Sequence, residues 1–350
     1  MENKIQKRAI EINDSILNAL RIMDNKSVKL LLVFDKEQFI NIITIGDLQR
    51  AIINNHDIND SIEKILDNTK LFASSEDSEQ DIQNQMLAIR AECMPVLDND
   101  GQLVKVYFWE DFFSQDSSQS RPKIDIPVVF MAGGKGTRLQ PLTNVIPKPL
   151  IPIGEKTIAE VILDQFESIG CKKFYFSVNY KAEIIEYYFK NLPHFYDISF
   201  IKEDKPLGTI GSVKLMQDQI KSPFFVSNCD IIIDQDYRDV YDYHIQNKND
   251  ITIISSLKSY PVPYGVMETG EDGLLKSIKE KPNNTYMINT GVYILEPSLI
   301  DLIPEGEMFH ITHLMEKVQQ RGGRIGCFPV SEQSWTDIGD WKEYLSVIKK

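Results

Sequence analysis

The run Ala132-Gly133-Gly134-Lys135-Gly136-Thr137-Arg138-Leu139 puts three glycines into four consecutive positions. Glycine lets a backbone turn sharply, and successive N–H groups in such a turn form a concavity for an anion. Arg138 adds a forked, permanent charge suited to phosphate oxygens. Ten residues after Arg138 comes Lys148, set between Pro147 and Pro149. The two prolines fix the backbone on both sides, as suits a lysine that must aim at one place. Glycine turns also serve as plain corners. The spacing is neither a Walker A loop nor a GxGxxG fingerprint, because Leu139 stands where the third glycine belongs. The loop by itself leaves a phosphate role and a structural turn both open.

The elements around it limit where such a loop can act. After a polar, serine-rich stretch at 114–123, apolar runs and helical periodicities alternate. Strands are expected at 126–131, 173–178, 198–201, 223–228 and 251–256. Helices are expected at 157–169, 181–190, 212–219, 237–247 and 311–320. Alternation of this kind predicts an α/β fold, a Rossmann-like, mostly parallel sheet with helices on both faces. Strands such as Pro127-Val128-Val129-Phe130-Met131 are continuously apolar, as burial on both faces requires. Ligands of such sheets bind beyond the carboxyl ends of the strands, where the glycine run lies. Asp230 closes the strand Phe224-Phe225-Val226-Ser227 at the same end. It could equally be a cap or turn acid, as could Asp337.

The combined motifs are more specific. Gly133-Gly134-x-Gly136-Thr137-Arg138-Leu139-x-Pro141-Leu142-Thr143, followed by Pro147-Lys148-Pro149-Leu150-x-Pro152-Ile153, closely resembles the signature of sugar-1-phosphate nucleotidylyltransferases. Further motifs agree in order: Leu207-Gly208-Thr209-x-Gly211, Asn228-Cys229-Asp230 with cysteine in place of the usual glycine, Tyr264-Gly265-Val266, Glu280-Lys281-Pro282, Asn289-Thr290-Gly291, and Trp335-Thr336-Asp337-Ile338-Gly339. The resemblance implies attack by a sugar 1-phosphate on the α-phosphorus of a nucleoside triphosphate, giving a nucleotide sugar and pyrophosphate. It implies that Gly133, Gly134, Gly136, Thr137, Gly208 and Asn228 bind the nucleotide. Arg138 would hold the leaving phosphates, and Lys148 the sugar phosphate and α-phosphate. Asp230 and Asp337 would bind Mg²⁺, and Gly265, Glu280, Lys281, Asn289 and Thr290 the sugar. The wording of the first motifs resembles guanylyl members of mannose and heptose type, so GTP and a mannose-like, heptose-like or amino-sugar 1-phosphate are the expected substrates. A uridylyl, thymidylyl or cytidylyl enzyme of the same fold, or a non-catalytic nucleotide-binding regulator, are the alternatives. His310-x-x-His313 has metal-motif spacing but no third ligand, and is expected to be a plain helix.

Residues ahead of the break repeat themselves. Val33-Phe34-Asp35 leads to Asp47, as Val96-Leu97-Asp98 leads to Asp111. Each copy reads helix, strand, turn, strand, helix. The pair resembles tandem CBS motifs, implying a small α+β domain at 1–116 (repeats about 1–60 and 61–116), a linker at 117–124, and the nucleotidylyltransferase domain at 125–350. Thr44 and Asp47 match the residues that hold ribose and phosphate in that family. In the second copy Phe108 replaces the hydroxyl while Asp111 remains. A regulatory nucleotide there, or dimerisation without a ligand, are the two implications, and a homodimer is expected.

Composition excludes other classes. The chain has 350 residues, 42% hydrophobic and 25% charged, with a net charge of −13. Residues 1–120 carry 12 basic and 21 acidic side chains, net −9, which argues against nucleic acid as a partner. No apolar run approaches the roughly 20 residues of a membrane span, and the start of the chain has no apolar signal region. Four scattered cysteines without a CxxC pair fit a cytoplasmic protein. No hexapeptide repeat follows the last expected helix.

Overall fold

The computed structural model describes residues 2–89, 91, 93–112, 122–194 and 196–348. The chain forms two compact units, Met1–Arg121 and Pro122–Lys350. Most of the expected linker, 117–121, lies outside the described residues.

In the front unit both copies fold alike. The first has a helix Ile16–Lys26, strands Leu30–Asp35 and Gln38–Thr44, and a helix Ile45–Ile53. The second has a helix Glu79–Ile89, strands Cys93–Leu97 and Leu103–Phe108, and a short helix Trp109–Phe112. Each hairpin shifts register at the equivalent point, Val33/Phe34 and Val96/Leu97. Leu30, Leu32, Phe39 and Ile42 of one copy share a core with Cys93, Val106 and Phe108 of the other. Neither three-stranded sheet could bury its apolar face alone.

The second unit is built on seven strands: β1 (Val128–Met131), β2 (Lys173–Val178), β3 (Asp197–Lys202), β4 (Phe224–Asn228), β5 (Ile251–Pro261), β6 (Asn283–Leu295) and β7 (Ile325–Val330). Their order is β3-β2-β1-β4-β6-β5-β7. Among the described residues of this sheet only β6 runs against its neighbours; β3, β2, β1 and β4 pair in parallel, as do β5 and β7. The helices are α1 (Ile158–Ile169), α2 (Ala182–Lys190), α3 (Tyr237–Gln246), α4 (Ile311–Gln320) and α5 (Trp341–Ile348).

Alternation along β1 assigns the faces. Phe130 meets Phe166 of α1, which stacks on Tyr237 of α3, and Phe176 of β2 meets Phe189 of α2. Val129 packs on the opposite side with Val226, Tyr293, and Leu314 and Val318 of α4. Helices therefore cover both faces, as expected. In this sheet β7, the first half of β6 and the helix α5 were not anticipated; an apolar strand from Asn289-Thr290 was, and it is the buried half of β6. The polar start of β6, Asn283-Asn284-Thr285, hides its period. The helix expected at 212–219 forms instead as a 3-10 turn, Gly211–Met216.

Strand order decides where a ligand can sit. From β1 the chain builds outward to β2 and β3, then returns to the other side of β1 as β4. This reversal is a topological switch point, where the connections at the strand ends diverge and leave a crevice. Met131 pairs with Asn228 there. The glycine loop leaves β1 and Cys229-Asp230 leaves β4 side by side.

Candidate functional site

Gly136 takes φ +62, and a Cβ there would sit 2.9 Å from the Thr143 methyl and 3.2 Å from Lys148 Cβ. The glycine thus lets the loop fold onto the stem of Lys148. A Cβ at Gly133 would lie 3.0 Å from Glu203 Oε1, whereas one at Gly134 would meet nothing within 4 Å. Packing does not require glycine at 134. Thr137 and Arg138 begin a short 3-10 turn and are exposed.

Lys148 is 9% exposed and Asp230 8%. Their side chains form an ion pair between Lys148 Nζ and Asp230 Oδ2. The antiparallel pair Ile231–Ile233 and Trp335–Asp337, in which Ile231 opposes Asp337, brings the second aspartate alongside. Asp230 accepts a backbone hydrogen bond from Ile338 at 2.9 Å. Arg138 Nη1 stands 3.9 Å from Asp337 Oδ2. Gly339 makes this approach possible, since a Cβ there would lie 2.5 Å from both Arg138 Nη2 and Asp337 Oδ1.

Asp337 Oδ1 is buried without a hydrogen-bond partner. Burial, and then the charge of Asp230, push its carboxyl above the ordinary range. An orphaned carboxylate oxygen beside a second carboxylate suits a hard divalent cation. Among the described residues no cluster of three or more His, Cys, Asp or Glu could hold a metal alone. Two carboxylates completed by substrate oxygens and water match the habits of Mg²⁺. Cys229 is not a ligand candidate: burial pushes its thiol up to about 12, with Asp230 adding to the effect.

The other expected residues divide. The Asn228 amide lies against Gly291, where φ is +89 and a Cβ would be 2.4 Å from Asn228 Nδ2. Gly208, at φ +83, allows its loop to touch the Phe309 carbonyl, 2.6 Å from a Cβ. Gly265 lies under the Glu280 carboxylate, 2.9 Å from a Cβ. Glu280 and Lys281 follow the hairpin Val266–Thr269/Leu275–Lys279 and are exposed. No hydrogen bond or ion pair among the described residues joins them to the Lys148 group. Asn289 accepts from Gly291 N at 3.0 Å. Thr290 is 3% exposed and donates its hydroxyl to Ile254 O at 2.7 Å, across the irregularity in the β5–β6 pairing. His310 caps α4 beside His313, a plain helix start.

Glu203 was missed by the sequence reading. It is 8% exposed, accepts from Ser177 Oγ at 2.5 Å and Leu207 N at 2.9 Å, and touches Gly133. One carboxylate thereby ties the glycine loop to the Leu207-Gly208 loop. No local pattern marks it. On the far side, Trp341 Nε1 donates to Gln140 O at 2.8 Å and Tyr344 to Pro152 O at 3.1 Å, so α5 holds the loop down.

In the front unit, Thr44 and Asp47 form a capping box: Thr44 N and Oγ1 donate to Asp47 Oδ2, both at 2.8 Å, and Asp47 N donates back at 3.3 Å. Lys70 and Arg50 also pair with Asp47. Asp111 repeats one bond of this arrangement, accepting from Phe108 N at 2.8 Å.

The family profile of nucleotidyl transferases matches residues 127–350. The chain belongs to the nucleotidyl transferase family. A CBS domain profile matches residues 8–54 of this nucleotidyl transferase. Mannose-1-phosphate guanyltransferase from Candida albicans is 36% identical over 236 residues, and that from Saccharomyces cerevisiae 35% over 236; each alignment covers 62% of this chain and 62% of the relative. The chain thus spans somewhat under two thirds of those relatives' length. A solved Bacillus anthracis structure, assigned as a glucose-1-phosphate thymidylyltransferase in complex with a sucrose, is 20% identical with a TM-score of 0.52. It covers 64% of this chain and 94% of its own, and shares the fold. No helix among the described residues is long and apolar enough to cross a membrane.

Proposed function

We propose that this nucleotidyl transferase moves GMP from GTP to a sugar 1-phosphate of mannose, heptose or amino-sugar type, releasing pyrophosphate. The carrying observation is the convergence of Arg138, Lys148, Asp230 and Asp337 beyond the β1/β4 switch point. The guanyltransferase relatives at 34–36% identity support guanine as the base and a mannose-like sugar.

A phosphate oxygen of the sugar 1-phosphate attacks the α-phosphorus as the bond to the β-phosphate breaks. The nucleophile is already anionic, so charge neutralisation and in-line positioning are what the chain must supply. Backbone N–H groups of Gly133, Gly134, Gly136 and Thr137 receive the triphosphate, with Gly208 and Asn228 near the nucleoside. Arg138, which is exposed beside Asp337, binds the β- and γ-phosphates that leave together. Lys148 neutralises charge passing from the sugar phosphate to the α-phosphate. Asp230 and Asp337 would hold Mg²⁺, which lowers the cost of the charge developing on the phosphate oxygens. Gly265, Glu280, Lys281, Asn289 and Thr290 form the sugar side, with Thr290 acting through the strand it braces. A cytoplasmic setting accompanies this reading, supported by four scattered cysteines without a CxxC pair.

A nucleotide at the front unit would have to displace Lys70 and Arg50 from Asp47. Pyrophosphate release across five nucleoside triphosphates and a panel of sugar 1-phosphates tests the main reading. GTP with a mannose-like acceptor is expected to lead, and no turnover with any pair would defeat it.

A further inference from the structure

Lys181 precedes α2 with φ +56, a left-handed conformation uncommon for a side chain with a Cβ. Such strain persists where the surroundings over-determine it. Here its ammonium donates to three successive carbonyls, Thr143 at 3.5 Å, Asn144 at 2.6 Å and Val145 at 2.9 Å. These carbonyls end the 3-10 turn Leu142–Asn144, where backbone acceptors lack donors within the turn. A cation at that end is doubly favourable, through charge-assisted bonds and the turn's dipole.

The contacts continue inward. Thr143 is 1% exposed and donates its hydroxyl to Gly136 O at 2.9 Å. Gly136 lies against both the Thr143 methyl and the stem of Lys148. Lys148 ends the series at Asp230. A lysine at the start of α2 is thus linked by packed contacts to the buried lysine.

We propose that Lys181 is a positioning residue: its ammonium pins the Gly136–Lys148 loop and so sets where Lys148 Nζ stands. The assignment rests on the proposed role of Lys148. A side chain that acts as charge moves has to be held within about 0.5 Å, so loosening the pin falls on kcat rather than on KM.

The test uses the full chain with Lys181→Met, Lys181→Arg and Lys181→Gly. Hydrogen exchange is followed at the amides of Leu139, Gln140, Asn144, Val145 and Ile146, which bond within the loop. Lys181→Met should raise exchange there about 10-fold and leave β1 and β4 unchanged. It should lower kcat about 10- to 100-fold, with KM for the triphosphate within about threefold. Lys181→Arg, which keeps the charge and donors, should restore both. Lys181→Gly relieves the backbone, so it should melt no lower than the parent yet lose kcat like the methionine variant. Loop exchange unchanged in Lys181→Met sinks the proposal even if the chain turns over no substrate. Wild-type kcat in Lys181→Met, or no recovery with arginine, sinks it too. A chain without turnover whose loop nonetheless loosens in Lys181→Met, and tightens again in Lys181→Arg, supports the pin and refutes only the proposed reaction.

Discussion

Lys148 and Asp230, 82 residues apart in sequence, neutralise each other in a buried ion pair whose side chains are each 11% exposed. The lysine proposed for phosphate and the carboxylate proposed for a cation thus satisfy one another. Under the proposed function, substrate binding would divide the pair, with phosphate oxygens taking the lysine and the cation taking the carboxylate. Neither charge has to be buried unpaired at any stage, which avoids a cost of several kcal/mol.

Lys148→Ala should lower turnover about 10²- to 10³-fold, the usual effect of losing one preorganised charge at a reacting centre. It should also destabilise the ligand-free chain by about 3 kcal/mol, because Asp230 is left buried and unpaired. Adding Asp230→Asn should recover most of the stability and none of the turnover. Thermal melts and steady-state rates on the four proteins of this cycle check both halves. Equal stability of the single and double variants contradicts the pair as described.

Asp337→Asn should separate stability from function. Its buried oxygen has no partner, and its charge faces Asp230. Removing that charge should raise Tm at neutral pH without metal by about 2–4 °C, equivalent to roughly 1 kcal/mol in a unit of this size. Added Mg²⁺ with GTP should stabilise the parent and do less for the variant. Calorimetric scans in chelator and in Mg²⁺ with GTP make the comparison; a lower melting point in chelator argues against the unpaired carboxylate.

Gly339→Ala should fold but lose rate. The new methyl has to displace Arg138 or Asp337, both 2.5 Å from its ideal position. A displacement of about 1 Å at a reacting centre costs on the order of 10²-fold. Turnover together with an unchanged far-ultraviolet dichroism spectrum is the measurement. Parental turnover would place Arg138 outside the reaction.

Asp47 should matter to the front unit and not to catalysis. Burial alone would raise its carboxyl pKa, but hydrogen bonds from Lys70 and Thr44 hold it below the ordinary carboxylate range. A depressed carboxyl contributes stability that is present above its unfolded value and lost as pH falls through its folded one. Asp47→Asn should therefore weaken the front unit by about 1–2 kcal/mol at neutral pH, with the deficit vanishing once acid has protonated the carboxyl in the folded chain. Turnover should be unaffected. An acid titration followed by circular dichroism, alongside rates at neutral pH, decides; a deficit that persists at low pH would show that the charge is not responsible.

Several features were legible because their causes are local. The glycine run, the prolines around Lys148, the continuous apolar strands and the helical periods all act over a few residues, so the α/β class and most strands could be read directly. The CBS-like repeat was equally plain, and so in principle was the capping box: Thr44-x-x-Asp47 before an apolar run is a local signal. The polar half of β6 and its reversed direction were not legible, since that half lacks an apolar period and direction is set by the neighbours it pairs with. Nor was Glu203, whose significance depends on two loops meeting, or the commitment of Thr290 to a carbonyl on another strand. The sequence by itself determined which groups this protein carries for the proposed phosphate and cation roles, because residue type and short spacing carry that chemistry. Only the tertiary structure decided which of them face one another. Pairing Lys148 with Asp230, and Asp337 with Arg138, requires strand order and the short Ile231–Asp337 ladder, long-range contacts to which no residue's immediate neighbours commit it.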